Sequence, residues 1–327
     1  MAKFIIPTGI SLHTVHNFFE KNKSLFDLDD NKAILSFNSD WMHLEPIALS
    51  MIASWGAWCK RNGLTIAFEN LGPRADYAAR MKLFDMLQIS YEGKMTEHEE
   101  AGRFMPLRNV KTGIDVRSVI ADVSALLHLN DDLESLAAVQ YCLSELMRNV
   151  LEHSLSSDGA FVCAHNYTKR KPHRITLAVA DCGIGIREHL SYRYPAVKND
   201  DLKALEFAMQ PGISGARPGV YGTPDNAGAG LFITRGIAKG TSGYFFIASG
   251  HGGYRLRRAK NYEAQRELFQ NPFFDRSDQW RFSSPWQGTI VSLEIRTENI
   301  QYFEGFFSRI REQIPPRETV GQRIRFT

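Results

Sequence analysis

Asp181-Cys182-Gly183-Ile184-Gly185-Ile186 follows directly on Arg174 to Ala180, an apolar stretch that reads as a β-strand. A carboxylate at a strand end can accept a hydrogen bond from an exocyclic amine such as that of adenine. The two glycines beside it let backbone approach a base where a Cβ would intervene. A G-x-G could also open a dinucleotide-binding βαβ unit, but the position three beyond Gly185 is Glu188, where that fingerprint needs Gly or Ala. A doubly wound parallel sheet is therefore not expected, and a G-K-[ST] phosphate loop is absent from the sequence.

Upstream, Asn130-Asp131-Asp132 opens a helix in which Asp131 and Glu134 make a capping-box pattern. Leu136, Val139, Leu143, Leu146, Met147 and Val150 carry it to about His153. Its last turns read Glu145-Leu146-Met147-Arg148-Asn149-Val150-Leu151-Glu152-His153, and spacings of four and eight set Glu145, Asn149 and His153 near one face. An aligned carboxylate and amide oxygen can orient a water and ligate Mg²⁺, a hard ion that prefers oxygen. Arg148 is expected off that face, solvated or paired, and His153 reads as a satisfied structural residue.

Downstream, Asn226-Ala227-Gly228-Ala229-Gly230-Leu231-Phe232-Ile233 is a glycine-rich loop running into a helix that ends near Gly240. The free N–H groups of a helix start suit phosphate. Gln287-Gly288-Thr289-Ile290-Val291-Ser292-Leu293 is a strand whose Thr289 can place a hydroxyl at the base of a pocket. Fourteen of the 25 glycines fall between Gly183 and Gly253, where an even spread would give about five.

In this order the four blocks resemble the N box and the three glycine boxes of the GHKL ATPases, the superfamily of gyrase, the heat-shock chaperone, histidine kinases, MutL and the anti-sigma serine kinases. The likeness spans Asp131 to Ile295, about half the chain. It implies an α/β sandwich of Bergerat type, a mixed, mainly antiparallel sheet with helices on one face. It also implies ATP and Mg²⁺ as ligands. By motif, Asn149 would hold Mg²⁺ and Glu145 would polarise the attacking water or hydroxyl. Asp181 would bind the adenine amine, with Gly183 and Gly185 beside the base, Gly228 and Gly230 at the phosphates and Thr289 supporting the adenine end. Arg187 to Ala227, with a helix from Asp200 to Met209, would then form the lid, where Arg217, or Arg235 beyond it, could neutralise phosphate charge. No helical hairpin with a phosphoacceptor histidine precedes the first block, and His128 fits that role poorly. The function implied is a Mg²⁺-dependent ATPase or a serine/threonine protein kinase-like regulator of a protein partner. The alternative is a scaffold that binds ATP without turnover.

The amino-terminal part reads as a smaller α/β unit. Ala33 to Phe37 is strand-like, Glu45 to Lys60 an amphipathic helix with Ile47, Met51, Ile52, Trp55 and Cys59 on one side, Leu64 to Phe68 a strand and Tyr77 to Leu87 a second helix. Gly63 ends the first helix. This β-α-β-α order suggests a parallel sheet with right-handed crossovers. The topology, with the Gly63-Leu64-Thr65-Ile66 strand start, resembles the STAS fold of anti-sigma factor antagonists. The family's phosphorylatable Ser has no counterpart in Met42-His43-Leu44-Glu45-Pro46, so a docking or regulatory role is expected. The organisation expected is a STAS-like unit over 1–92, a linker over 93–117, the ATP-binding domain over 118–312 and a basic tail over 313–327. Glu97-His98-Glu99-Glu100 reads as a solvated run, and the aromatics of Asn261 to Pro285 as an inserted segment.

Composition bounds the rest. The chain has 327 residues, 43% hydrophobic and 23% charged, with a net charge of +3. That suits about two domains with ordinary cores and is too mild a charge to point to nucleic acid. The apolar runs fall short of the roughly 18 residues of a membrane span, and Met1 to Pro7 makes a poor signal peptide. Four cysteines with no C-x-x-C pair argue against a disulfide framework or zinc site and fit a cytoplasmic protein. A protein partner is expected, a homodimer is compatible, and a membrane is not.

Overall fold

The computed structural model describes residues 1–7, 9–37, 43–70, 75–91, 103–127, 133–168, 171–213, 229–258, 268–302, 308–310 and 312–314. The amino-terminal part contains β1 (Ala2–Ile5), β2 (Gly9–Ile10), α1 (Val15–Lys21), β3 (Lys32–Ser36), β4 (His43–Leu44), α2 (Pro46–Arg61), β5 (Thr65–Glu69), α3 (Asp76–Arg80) and α4 (Leu83–Leu87). The carboxyl-terminal part contains β6 (Phe104–Val110), α5 (Gly113–Leu127), α6 (Leu133–His153), β7 (Ala160–Tyr167), β8 (Arg174–Asp181), α7 (Gly185–Ser191), α8 (Asp201–Ala208), α9 (Gly230–Gly240), β9 (Tyr244–Leu256) and β10 (Ser277–Arg296). The protein is mixed α/β, as expected.

β1, β3 and β5 form a parallel three-stranded sheet in that order. The second helix predicted over Tyr77 to Leu87 is two short ones, broken where Lys82 takes a left-handed φ of 60°. The larger sheet runs β6-β7-β8-β10-β9, antiparallel throughout. Its edge strand β6, followed by the start of α5, occupies the span expected as a linker. The Glu97 to Glu100 run and the tail from residue 315 lie outside the described residues.

Strand alternation explains how the two parts fit together. Val162, Leu177, Val179, Ile247, Val291 and Leu293 point to one face and share a core with α5, α6 and α9. Phe161, Cys163, Ala178, Ala180, Ala248 and Ile290 point to the other, and that face is covered by the amino-terminal part. Helices on one face alone were expected; α2 supplies the missing layer. A sheet covered on both sides reads as continuous apolar strands, and β7 and β8 do.

The same burial reshapes the reading of α2. From Pro46 to Cys59 every residue except Ala57 is buried, because the helix lies between the small sheet and the large one. It is apolar all round, not amphipathic, and its uncharged run from Pro46 to Cys59 is the sequence trace of that position. Pro46 stands in the first turn, where its missing N–H costs nothing. Its polar residues Ser50 and Ser54 meet Cys163 and Cys182 across the boundary at 3.5 and 3.1 Å.

The aromatic segment before Pro285 is also structural. Trp280 and Phe282 lie on β10, and α1 packs on them: Phe19 stacks on Phe282 at 4.1 Å and His16 on Trp280 at 5.0 Å. They therefore belong to the extended β9–β10 arm and not to an insertion, while Tyr262 lies outside the described residues.

Candidate functional site

Glu145 and Asn149 stand one turn apart on α6, and α9 begins directly against them. A Cβ built on Gly230 would lie 2.9 Å from Glu145 Cβ and 3.4 Å from Asn149 Nδ2, so only glycine lets the α9 start come so close. Among the described residues no side chain caps this helix start. Burial raises the pKa of the half-buried Glu145, while Arg148, whose Nη1 lies 3.1 Å from Glu145 Oε1, pulls it down. Arg148 is thus paired with the candidate base and, at 3.8 Å, with Glu152.

Asp181 ends β8 in phase with Leu177 and Val179, on the side of α6 and α9. Its Oδ1 accepts the Gly183 N–H at 2.7 Å, whereas Oδ2 is buried with no hydrogen-bond partner among the described residues. Burial pushes this carboxyl up to about 7, against the opposing pull of the Gly183 and Thr289 N–H groups. Thr289 is the register partner of Asp181 on one side and of Ser249 on the other.

The turn that follows is fixed from three directions. Ile184 N–H donates to the Ser154 carbonyl at 2.8 Å. Ser249 Oγ donates to the Gly288 carbonyl at 2.7 Å and accepts from Ile186 N–H at 2.9 Å. Trp286 Nε1 donates to the Asp181 carbonyl at 3.0 Å. Gly185 has φ 80°, a conformation that favours glycine. A Cβ on Gly183 would stand 2.0 Å from the Ser154 carbonyl oxygen, a backbone atom that cannot swing away. Gly183→Ala is expected to cost about 2–4 kcal/mol, read as a lowered denaturant midpoint. An unchanged midpoint would show that α6 and the turn can move apart.

The helix ends bring a further pair together: His153 and His189 of α7 have ring centroids 4.5 Å apart. Burial lowers both, with His189 brought to about 4 by burial and then by its neighbour. His153 thus packs against α7 as burial favours its neutral form.

Of the residues expected at the site, Glu145, Asn149 and Gly230 meet where α9 begins, while Asp181, Gly183, Gly185 and Thr289 gather at the end of β8; α6 links the two groups, through Ser154 against Gly183 and Ile184. Gly228 and Arg217 lie outside the described residues. Arg235 is not available to phosphate: its side chain is fully buried and pairs with Asp275 at 3.1 Å, beside Lys239, which holds the same carboxylate. The first half of the expected lid is also folded structure. α7, Pro195–Val197 and α8 enclose Leu190, Val197 and Ala204, and Arg281 grips Asp200 at 2.6 and 2.8 Å. Gly236, Gly250, Gly252 and Gly253 are places of close approach, against Ile310, Asp201 and Phe282.

Ser154, Ser249 and Trp286 went unread in the sequence. Each acts through a backbone group on another strand or helix, so only strand pairing could have found Ser249, as the partner of Thr289. Among the described residues no group of three or more His, Cys, Asp or Glu could hold a metal ion, and no helix is long and apolar enough to cross a membrane. No model of a known protein family, no curated protein and no solved structure matches the chain.

Proposed function

We propose that the protein binds ATP with Mg²⁺ in the manner of the GHKL superfamily and acts as an ATPase or serine/threonine protein kinase-like regulator of a protein partner. The observation that carries this reading is Asp181: a buried carboxyl whose Oδ1 is fixed by Gly183 and whose Oδ2, with only the pull of the Thr289 N–H nearby, has no hydrogen-bond partner among the described residues, beside glycines that keep the surrounding backbone close. A buried acceptor without a partner is costly, and a ligand amine removes that cost. The oxygen is closed off from water in this conformation, so an incoming amine displaces the groups that cover it.

The antiparallel sheet with α5, α6 and α9 on one face supports a Bergerat-type domain, and the parallel β1-β3-β5 sheet supports a STAS-like amino-terminal unit. Asn149 and Glu145 fit a magnesium ion that arrives with phosphate oxygens, the usual way this ion is held where a protein offers few carboxylates of its own. Mg²⁺ would neutralise phosphate charge there. The start of α9 at Gly230 would orient the phosphates by its N–H groups, with Glu145 taking the proton of a water or of a partner's hydroxyl.

One observation favours ATP binding without turnover. Arg148 already occupies Glu145 at 3.1 Å, and a base engaged in an ion pair accepts a proton less readily. Titration calorimetry of the full chain with ATP and Mg²⁺, followed by phosphate release, separates the readings. Saturable binding is expected; its absence would overturn the proposal, and binding with no release or transfer to a co-purified protein would leave the scaffold.

A further inference from the structure

Because side chains alternate along β8, Asp181 and Cys182 face opposite sides of the large sheet. Asp181 faces α6 and α9, while Cys182 enters the core shared with α2. Groups of the amino-terminal part close on this strand end from behind. Ser54 Oγ lies 3.1 Å from Cys182 Sγ. Arg61, the last residue of α2, donates from Nη2 to the Cys182 carbonyl at 3.2 Å and from Nη1 to Ser157 Oγ at 3.3 Å and to the Asp158 carboxylate. Phe26 stands edge-on to Trp286 at 5.3 Å, and Trp286 holds the Asp181 carbonyl.

Ser157 and Asp158 lie in the loop after α6. Arg61 therefore ties that loop to the start of the β8–α7 turn, the same two segments that meet again at Ser154 and Ile184. We propose that Arg61 is a positioning residue for Asp181, through which the amino-terminal part sets the preference of the site for adenine nucleotides. This rests on the nucleotide reading above. A carboxylate with one fixed and one free oxygen is directional only while the backbone on both sides of it is held. Trp286 holds the carbonyl of Asp181 and Arg61 holds the next one. Without Arg61 the Cys182 carbonyl loses this donor, and the Cys182–Gly183 peptide, which the contacts at Ser154, Ser249 and Trp286 do not grip and whose N–H fixes Asp181 Oδ1, can tilt, so Oδ2 loses its aim. The α9 start at Gly230 rests on other elements and keeps its place.

The test compares ATP and GTP affinities, with Mg²⁺, for the full chain as wild type, Arg61→Ala, Arg61→Lys and the exposed neighbour Lys60→Ala, with thermal midpoints alongside. Adenine offers an amine where guanine offers a carbonyl oxygen, so the ratio of the two affinities reports the aim of Asp181. Arg61→Ala is expected to lose about tenfold in ATP-over-GTP preference. Arg61→Lys should lose less, because an ammonium can reach Asp158 or the Cys182 carbonyl without the planar fork that spans both. Lys60→Ala should match wild type. An unchanged ratio, including equal losses for both nucleotides, overturns the positioning role while a wild-type preference for ATP leaves the nucleotide reading standing. A wild type that binds neither nucleotide overturns both. Should Arg61→Ala fail to fold, the ratio for Arg61→Lys decides: a partial loss supports the role and an unchanged value overturns it.

Discussion

Asp181→Asn is expected to weaken ATP binding by about 10- to 100-fold while making the protein more stable at alkaline pH. The binding loss, read at pH 8 where the carboxyl is ionised, follows from replacing a charged acceptor by an amide, whose oxygen remains for Gly183 and whose NH₂ then faces the incoming amine as a second donor. The stability gain follows from burial. The folded carboxyl titrates at about 7 instead of its ordinary 3.8, so between those values the native state holds a proton that the unfolded chain has released. Stability due to this group is greatest below its ordinary pKa, falls as pH rises toward 7 and stays lower above it. The whole fall is of the order of 4 kcal/mol. His153 and His189, both lowered by burial, titrate with the opposite sign in part of the same window. The informative quantity is therefore the difference between variant and wild type. Urea unfolding at pH 5 and pH 8 should show the variant gaining relative to wild type at pH 8. An equal response to pH would mean that Asp181 ionises at no cost, and the argument for a vacant acceptor would fail with it.

Glu145→Gln should lower turnover by about 10²- to 10³-fold with ATP affinity kept within about threefold. The substitution preserves shape, so the contact of Glu145 Cβ with the α9 start at Gly230 survives. What disappears is a carboxylate that burial makes more basic and that Arg148 restrains. Single-turnover phosphate release, measured beside calorimetric binding, separates the two effects. Unchanged release would remove Glu145 from any catalytic role. If wild type itself binds ATP and releases nothing, the Arg148 ion pair becomes the reason, and the scaffold reading stands.

Much of the candidate site was legible because its residues sit at fixed spacings on single elements. Glu145 and Asn149 share a helix face at i, i+4, and Asp181, Gly183 and Gly185 follow one strand. In each case the geometry is local and the spacing carries it. Arg235 shows the limit of such reading. From sequence it was one cation on a helix near a glycine loop, and nothing local announces Asp275, forty positions away, which buries and neutralises it. The lid helix expected over Asp200 to Met209 is α8, yet its fixed attachment depends on Arg281 and Gly250 of the distant β9–β10 arm, and α7 before it was not read in the sequence.

By itself the sequence determined the α/β class and several of its strands and helices, and it marked the residues proposed for nucleotide recognition. These follow from apolar periodicity, glycine placement and motif spacing, which are properties of neighbouring residues. Only the tertiary structure decided that the two parts of the chain share a core. A helix buried on every side and a sheet buried on both faces each need a partner from elsewhere in the chain, and hydrophobicity states that need without naming the partner. The packing of α2 on β7 and β8 supplies it, and that packing sets Arg61 behind the strand end that carries Asp181.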